Sequence, residues 1–216
     1  MQLVVRFLAS LLLPLLQGGF LQAAPFAYVP NSASDDVSVI DTALDRVSAT
    51  IAVGSYPFGV AISPVGDRVY VTNSFDRTVS VLSTSTNSVI TTFSVGPWPV
   101  GVAVNPEATR IYVTDAIEGL VRVIDTATYS LVVAVHVGSS PWGLVVSPTA
   151  PRLYVANRDS TVSVIDTSTN TLLATVPVGG SPGYIATNPS GTRVYVANEG
   201  SADIIRLARQ GSLTIR

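Results

Sequence analysis

The chain has 216 residues, no cysteine, 12% charged residues and a formal net charge of −2 at pH 7. A chain of this length can bury a core as one domain of about 200 residues. The absence of cysteine excludes disulfides, thiolate metal sites and cysteine nucleophiles. The near-neutral charge gives no reason to expect nucleic-acid binding or attraction to an anionic membrane.

The first 25 residues, MQLVVRFLASLLLPLLQGGFLQAAP, have the pattern of a secretory signal peptide: a basic residue at Arg6, an apolar run, then small and polar residues. A transmembrane helix is the alternative, but the run is shorter than the roughly 20 residues that span a bilayer, and Pro14 interrupts it. Cleavage after Ala23 is favoured, because cleavage one residue later would place Pro25 directly after the cut bond. We expect a signal peptide at residues 1–23 and one exported domain at 24–216, secreted, periplasmic or at the cell surface, without membrane insertion.

A six-residue motif recurs along the rest of the chain. RVYVTN at residues 68–73 returns as RIYVTD at 110–115, RLYVAN at 152–157 and RVYVAN at 193–198. The aligned tyrosines Tyr28, Tyr70, Tyr112 and Tyr154 are 42 residues apart, and Tyr195 follows after 41. A fixed period of this size indicates an array of structural repeats. The expected repeats cover about residues 26–67, 68–109, 110–151 and 152–192, with a partial repeat at 193–216.

The composition of each repeat is typical of strands. Segments rich in Val, Ile, Thr and Tyr alternate with intervals that carry Gly, Pro, Asn and Ser. Four strands of about 5 to 6 residues and turns of about 4 residues account for the period. The strands are apolar on both faces, so each four-stranded antiparallel sheet should be covered on both sides by its neighbours. We therefore predict an all-β protein, a β-propeller of about 4–5 blades.

The repeats resemble those of the YVTN β-propeller family, found in exported bacterial proteins and archaeal surface-layer proteins. The resemblance covers about residues 26–198 and is carried by the tetrad YVTN at 70–73, by V-I-D-T at 123–126, and by S-P-x-G-x-R at 63–68. It implies that the GVAIS-type strand is innermost, followed outward by the YVTN strand, the VIDT strand and the strand ending in Val-Gly.

The positions that recur in each repeat, here called stations, lead to specific structural expectations. The valines and tyrosine of RVYVTN should wedge between neighbouring blades, and Asn73 should adopt a left-handed turn that hydrogen-bonds its own backbone. The glycines that follow the outer strands should permit positive φ. Aspartates at three equivalent turns, Asp41, Asp125 and Asp166, should cap the backbone, whereas Ser83 replaces the fourth.

The two ends of the array depart from the pattern. The first blade begins with its second strand, and after Asn198 the sequence has neither V-I-D-T nor a terminal Val-Gly. The last unit should therefore be eroded or cut short. We expect a strained small ring or an open, incomplete ring that self-associates through unclosed blade edges or is a fragment of a longer propeller.

One face of the propeller is a candidate ligand-binding surface. Its loops carry aromatic residues, namely Tyr56, Phe58, Trp98, Trp142 and Tyr184. They also carry the acidic residues Asp35, Asp36, Asp76, Asp115, Glu118, Asp159 and Glu199. Aromatic rings offer large contact area at low entropy cost, which suits a protein, peptide or glycan ligand. Alternatively, the rings fill gaps between blades and the carboxylates keep the protein soluble.

The sequence gives little support for catalysis. The single histidine, His136, has no serine motif or histidine partner, which excludes triads and His-rich metal sites. Similar propellers include lactonases and streptogramin lyases, and that resemblance implies metal-assisted chemistry near the starts of the inner strands. Those positions here hold Phe58, Val100, Trp142 and Gly183. We expect a non-catalytic binding or scaffold module without cofactor or metal; the alternatives are a degraded lyase or lactonase relative and a surface-layer component.

Overall fold

The computed structural model describes residues 26–208, so the predicted signal peptide lies outside the described residues. In this range every regular element is a β-strand. The first sheet contains β1 (Phe26–Asn31), β2 (Asp36–Asp41) and β3 (Arg46–Ala52). The second contains β4 (Pro57–Ile62), β5 (Arg68–Asn73), β6 (Thr78–Ser83) and β7 (Ser88–Ser94). The third contains β8 (Pro99–Val104), β9 (Arg110–Asp115), β10 (Leu120–Asp125) and β11 (Leu131–His136).

The remaining strands form two further sheets. The fourth contains β12 (Pro141–Val146), β13 (Arg152–Asn157), β14 (Thr161–Asp166) and β15 (Thr171–Pro177). The fifth contains β16 (Pro182–Thr187), β17 (Arg193–Asn198) and β18 (Asp203–Ala208). All neighbouring strands pair antiparallel in chain order, as predicted. β4, β8, β12 and β16 contact one another from sheet to sheet, so the GVAIS-type strands are innermost.

The end of the array differs in part from the expectation. The first sheet holds only the second to fourth strands of a unit, as predicted. The last sheet, however, has a regular third strand, β18, which pairs with β17 along its whole length despite the missing V-I-D-T. Apolar residues such as Ile205 and Leu207 pack this strand against the fourth sheet. The alternation of apolar and polar residues is therefore sufficient to form the strand without the motif. Within residues 26–208 no strand pairing joins the first sheet to the last. Val29 of the first sheet and Ile204 of the last are exposed, so no described sheet covers these two end faces of the array.

Apolar residues of adjacent sheets form the core. Tyr112, Val121 and Val123 of the third sheet cluster with Leu153, Val155 and Ile165 of the fourth. Equivalent clusters join the other neighbours. Tyr70 and Tyr112 are almost fully buried in these clusters, which confirms that the hexamer recurs because the same inter-sheet contact recurs. Burial raises the pKa of Tyr70 to about 12.

β4, β8 and β12 each approach the next inner strand closely because each carries a glycine at the same position. The register shifts between Pro57 and Val60, and the N–H of Gly59 donates to Thr72 Oγ1 at 2.8 Å instead of to a backbone carbonyl. A Cβ on Gly59 would lie 2.2 Å from the carbonyl oxygen of Val100 in the next sheet. Gly101 and Gly143 stand at the same station, with corresponding distances of 2.4 Å and 2.6 Å. The glycine therefore sets the spacing between inner strands.

The prediction for Asn73 is wrong. Asn73 ends β5 in ordinary strand conformation, and the left-handed residue of this hairpin is Arg77, with φ 63°. The buried amide of Asn73 instead donates across the hairpin to Thr78 Oγ1 and Ser80 Oγ, both at 2.9 Å. The asparagine thus holds two strands together, because a buried amide must find partners in the protein.

The glycines after the outer strands also have a different role from the expected one. Only Gly96 has positive φ, at 130°, whereas Gly54, Gly138 and Gly179 do not. At Gly54 an added Cβ would lie 2.7 Å from the amide nitrogen of Asn73. The station requires glycine chiefly because the buried asparagine amide occupies the space that a side chain would need.

Candidate functional site

Backbone hydrogen bonds bring the two predicted loop sets together on one face. The N–H of Ser74 donates to the carbonyl oxygen of Tyr56 at 3.0 Å, and the N–H of Ala116 donates to that of Trp98 at 3.0 Å. In the last two sheets Arg158 and Glu199 donate in the same way, to Ser140 and Ser181 respectively. The loop that connects an outer strand to the next inner strand therefore lies against the loop between the second and third strands of that next sheet. We call this surface the aromatic face.

Three rings of this face form a continuous row. The Tyr56 and Phe75 rings are stacked, with centroids 4.5 Å apart and planes 10° apart. The Trp98 ring lies 5.4 Å from Phe75 at an angle of 51°. Phe75 is 57% exposed at the centre of this aromatic row. Asp35 Oδ1 accepts a 2.8 Å hydrogen bond from the N–H of Tyr56, whose φ of 56° needs such support.

A second group surrounds Trp142. The Phe58 ring meets Trp142 edge-on, with centroids 5.2 Å apart. Cζ of Arg158 lies 4.0 Å from the centroid of the Trp142 ring, and its Nη2 pairs with Glu199 Oε2 at 2.9 Å. A cation over an indole face contributes about 0.5–2 kcal/mol. This tryptophan cluster engages its rings with the protein, whereas the aromatic row leaves ring faces in solvent.

The structure separates Tyr184 from both groups. It is 59% exposed, and the described residues provide no ring contact for it. It stands two residues after Pro182, at the station that holds glycine in the other inner strands. Of the five aromatic residues predicted for the ligand surface, the structure therefore joins Tyr56 to Trp98 through Phe75, joins Phe58 to Trp142, and leaves Tyr184 apart.

Sequence reasoning missed Phe75 and Arg158. Phe75 lies in a hairpin loop whose counterpart in the next repeat carries Ile117, so it belongs to no repeated motif. Arg158 follows Asn157 at a position that holds Ser74 and Ala116 in preceding repeats. A search for aromatic or cationic residues unique to one repeat would have found both.

The acidic residues of the aromatic face have partners within the protein. Asp76 Oδ2 accepts from the N–H of Ser55 at 2.8 Å, and Asp159 Oδ2 accepts from that of Ser139 at 2.6 Å. Arg122 pairs with buried Asp115 at 3.2 Å and also with Glu118. These carboxylates stabilise loops, which limits the charge that they offer to a ligand.

The opposite face contains a cleft of about 560 Å³ between the third and fourth sheets. Polar groups line it, among them Glu107, Arg110, Thr149 and Thr167. Arg110 Nη1 is paired with Asp125 Oδ2 at 2.6 Å. Arg110 is thus held by a carboxylate of its own sheet.

Clusters of metal-binding side chains and membrane-spanning helices are both absent from the described residues. No three or more His, Cys, Asp or Glu side chains in residues 26–208 are grouped so that they could hold a metal ion. In the same range no helix is long and apolar enough to cross a membrane. His136 is exposed at the end of β11.

Comparison of the sequence with protein families and with curated proteins gives no match. Many solved structures resemble the chain, and two of them illustrate the likeness. A chain of Kuenenia stuttgartiensis hydrazine synthase is 15% identical with a TM-score of 0.53, over 88% of this chain and 94% of that chain. A functionally unknown protein from Desulfotomaculum acetoxidans is 22% identical with a TM-score of 0.76, over 88% of this chain and 64% of that chain, so the present chain spans less than two thirds of it.

At these identities the likeness shows the fold alone. Together with the five sheets stacked through their inner strands, it shows a β-propeller arrangement of about five blades. The fold-class prediction is confirmed. Since propellers carry many unrelated functions, the function must be argued from the aromatic face.

Proposed function

We propose that the chain belongs to the YVTN-repeat propellers and acts as an exported, non-catalytic binding module in the periplasm or at the cell surface. The predicted signal peptide at residues 1–23 supports export. The repeated hexamer and the order of the strands within each sheet support the family.

The exposed row Tyr56–Phe75–Trp98 is the observation that carries the binding function. A stacked aromatic pair elsewhere, Phe93 and Tyr129, has centroids 5.1 Å apart and packs against the core, where it fills a gap between sheets. Phe75 instead holds its ring in solvent although it stacks on Tyr56. Contiguous exposed rings are typical of interaction surfaces, because they bury large area with few side-chain torsions to fix.

The row favours a ligand with flat apolar surfaces. Neighbouring carboxylates such as Asp35 and Asp76 accept hydrogen bonds from backbone N–H groups, so stacking dominates over charge. A sugar ring or an apolar peptide side chain offers a surface of this kind. We therefore propose a neutral glycan or an apolar peptide segment as the ligand.

The positions at which a related lyase or lactonase would need metal ligands support binding over catalysis. Phe58, Val100, Trp142 and Gly183 begin the inner strands and carry no carboxylate. Glu199 is close to one of these positions, since a Cβ on Gly183 would lie 2.5 Å from Glu199 Oε1, but this carboxylate is paired with Arg158.

Glycan and peptide arrays probed with residues 24–216 test the proposal. Phe75→Ala should abolish binding to any hit, whereas Val65→Ala should not; Val65 is 72% exposed in the turn between β4 and β5, on the opposite face. The two tryptophans provide a second measurement. Ligand should shift the emission of Trp98 in the Trp142→Phe variant and leave that of Trp142 in the Trp98→Phe variant unchanged. Binding that survives Phe75→Ala would refute the row as the site.

A further inference from the structure

The internal interfaces of the propeller show what covers each sheet. The face of a sheet that points to the next sheet in the chain, here called the leading face, carries the motif tyrosine. Tyr70, Tyr112 and Tyr154 are buried there by the next sheet. In the fifth sheet Tyr195 is 37% exposed and Ile204 is 68% exposed. The leading face of the fifth sheet therefore lacks the cover that the other sheets have.

The first sheet has the complementary opening. Its trailing face, which points away from the second sheet, carries Val29, which is 40% exposed. The equivalent Val71, Val113 and Val155 are fully buried against the preceding sheet. The array therefore has one uncovered leading face and one uncovered trailing face. At every internal interface a leading face packs against a trailing face.

Tyr184 restricts which sheet can dock on the fifth sheet. At the equivalent Gly59, Gly101 and Gly143, an added Cβ would lie 2.2–2.6 Å from a carbonyl oxygen of the next inner strand. Tyr184 has a side chain at this station, so a sheet with an inner strand at the usual spacing would clash with it. In the described residues only the first sheet lacks an inner strand. Within residues 26–208 the inner side of the first sheet is therefore unfilled and leaves room for the Tyr184 ring.

Two further differences match across these open faces. Where Val81, Val123 and Val164 occupy the leading faces, the fifth sheet has Arg206. Where Val69, Ile111 and Leu153 occupy the trailing faces, the first sheet has the smaller Ala27. Val123 and Leu153 belong to one cluster, so a larger residue on one side would meet a smaller one on the other.

We infer that the leading face of the fifth sheet of one molecule docks on the trailing face of the first sheet of a second copy of this chain. This contact is heterologous, so it produces a closed ring of copies or an open filament. It uses neither the aromatic row nor the tryptophan cluster and so does not depend on the proposed ligand.

Light scattering coupled to size exclusion, over a concentration series of residues 24–216, tests the inference. The wild-type mass should exceed that of the monomer and rise with concentration. Val29→Arg should block the trailing face and Ile204→Arg the leading face, and each variant alone should be monomeric. Both residues are solvent-exposed in the single chain, so the substitutions should preserve the fold, which melting curves verify.

Mixing the two variants distinguishes this head-to-tail contact from a symmetric contact between two identical faces. The intact leading face of the Val29→Arg molecule and the intact trailing face of the Ile204→Arg molecule should form a 1:1 dimer that grows no further. Val65→Arg and Phe75→Ala should assemble as the wild type does.

Three results would overturn the inference. A wild-type chain that stays monomeric means that something other than a second copy covers these faces. Single variants that still assemble point to a different interface. A mixture that stays monomeric, although both variants melt cooperatively, excludes head-to-tail docking.

Discussion

The hydroxyl of Thr72 donates a 2.7 Å hydrogen bond to the carbonyl oxygen of Val100 in the next sheet, and accepts one from the N–H of Gly59 at 2.8 Å. Thr114 repeats this arrangement with Trp142 and Gly101. One buried side chain therefore closes the bulge of its own inner strand and attaches the next sheet.

We predict that Thr72→Val destabilises the protein by about 1–3 kcal/mol, because it leaves the N–H of Gly59 and the carbonyl of Val100 without a partner. Each kcal/mol corresponds to a fall of about 2–4 °C in the melting midpoint for a chain of this size. Calorimetry measures this fall in the melting midpoint. A valine variant as stable as the wild type would show that water replaces the hydroxyl.

Ala156→Thr is the complementary change. Ala156 stands in the fourth sheet where Thr72 and Thr114 stand in the second and third. A threonine there should bond to the N–H of Gly143 and the carbonyl of Gly183, and so raise the melting midpoint by about 2–4 °C. Ala156→Val is the matched control, since it adds the same volume without a hydroxyl. An equal effect of both variants would mean that packing alone acts here.

Ser83→Asp should raise the melting midpoint by about 2 °C. Asp125 Oδ1 accepts from the N–H groups of Ala127 and Thr128 at 2.9 and 3.1 Å, whereas Ser83 Oγ accepts from one backbone N–H of its turn, that of Thr86, at 3.3 Å. The aspartate should therefore cap both N–H groups of the turn. Differential scanning fluorimetry of Ser83→Asp beside Ser83→Ala checks this, and a lowered midpoint for the aspartate would contradict the capping role.

Stability should fall as the pH drops below about 4. Hydrogen bonds from the N–H groups of Ala127 and Thr128 lower the pKa of Asp125, and the N–H of Ser168 lowers that of Asp166. Because the folded-state pKa lies below the unfolded-state value, the stabilisation is present above the unfolded pKa and is lost as pH falls through the folded one. Melts between pH 2 and pH 7 measure the slope, which Asp166→Asn should reduce. An unchanged slope would exclude Asp166 as a contributor.

Gly179→Ala should destabilise the protein by about 1–3 kcal/mol, because its Cβ would lie 2.4 Å from Ser201 Oγ and 2.7 Å from the amide of Asn198. Gly180→Ala is the matched control, since its nearest neighbour would be at an ordinary 3.4 Å. Chemical denaturation of the two variants gives the difference. Equal stability would refute the claim that the asparagine amide excludes a side chain.

EDTA should leave the melting midpoint unchanged, since residues 26–208 bring no three metal-binding side chains together. Added calcium should be without effect for the same reason. A drop of several degrees with EDTA, reversed by calcium, would instead assign an ion to the acidic loops of the aromatic face.

Regular periodicity made most of the fold predictable. The spacing of the tyrosines and the alternation of apolar residues predict the strands, their order and the clusters between sheets, because these features depend on local chain geometry that each repeat reproduces. The lack of an inner strand in the first sheet, within residues 26–208, follows from the same alignment. The third strand of the last sheet does not, since the motif is absent; pairing with β17 and packing of Ile205 and Leu207 maintain it.

The tertiary structure decides which side chains come together in the candidate site. The sequence predicted which loops share a face and that Tyr56 and Trp98 lie on it, because alternating turns of a propeller must do so. It gave no sign that Phe75 joins them, that Arg158 covers Trp142, or that Tyr184 stands alone. Those contacts join loops of different sheets, and the side chains involved are the ones that the repeats do not share. What repeats in this chain determines the scaffold, whereas contacts between its unrepeated residues determine the surface that can bind.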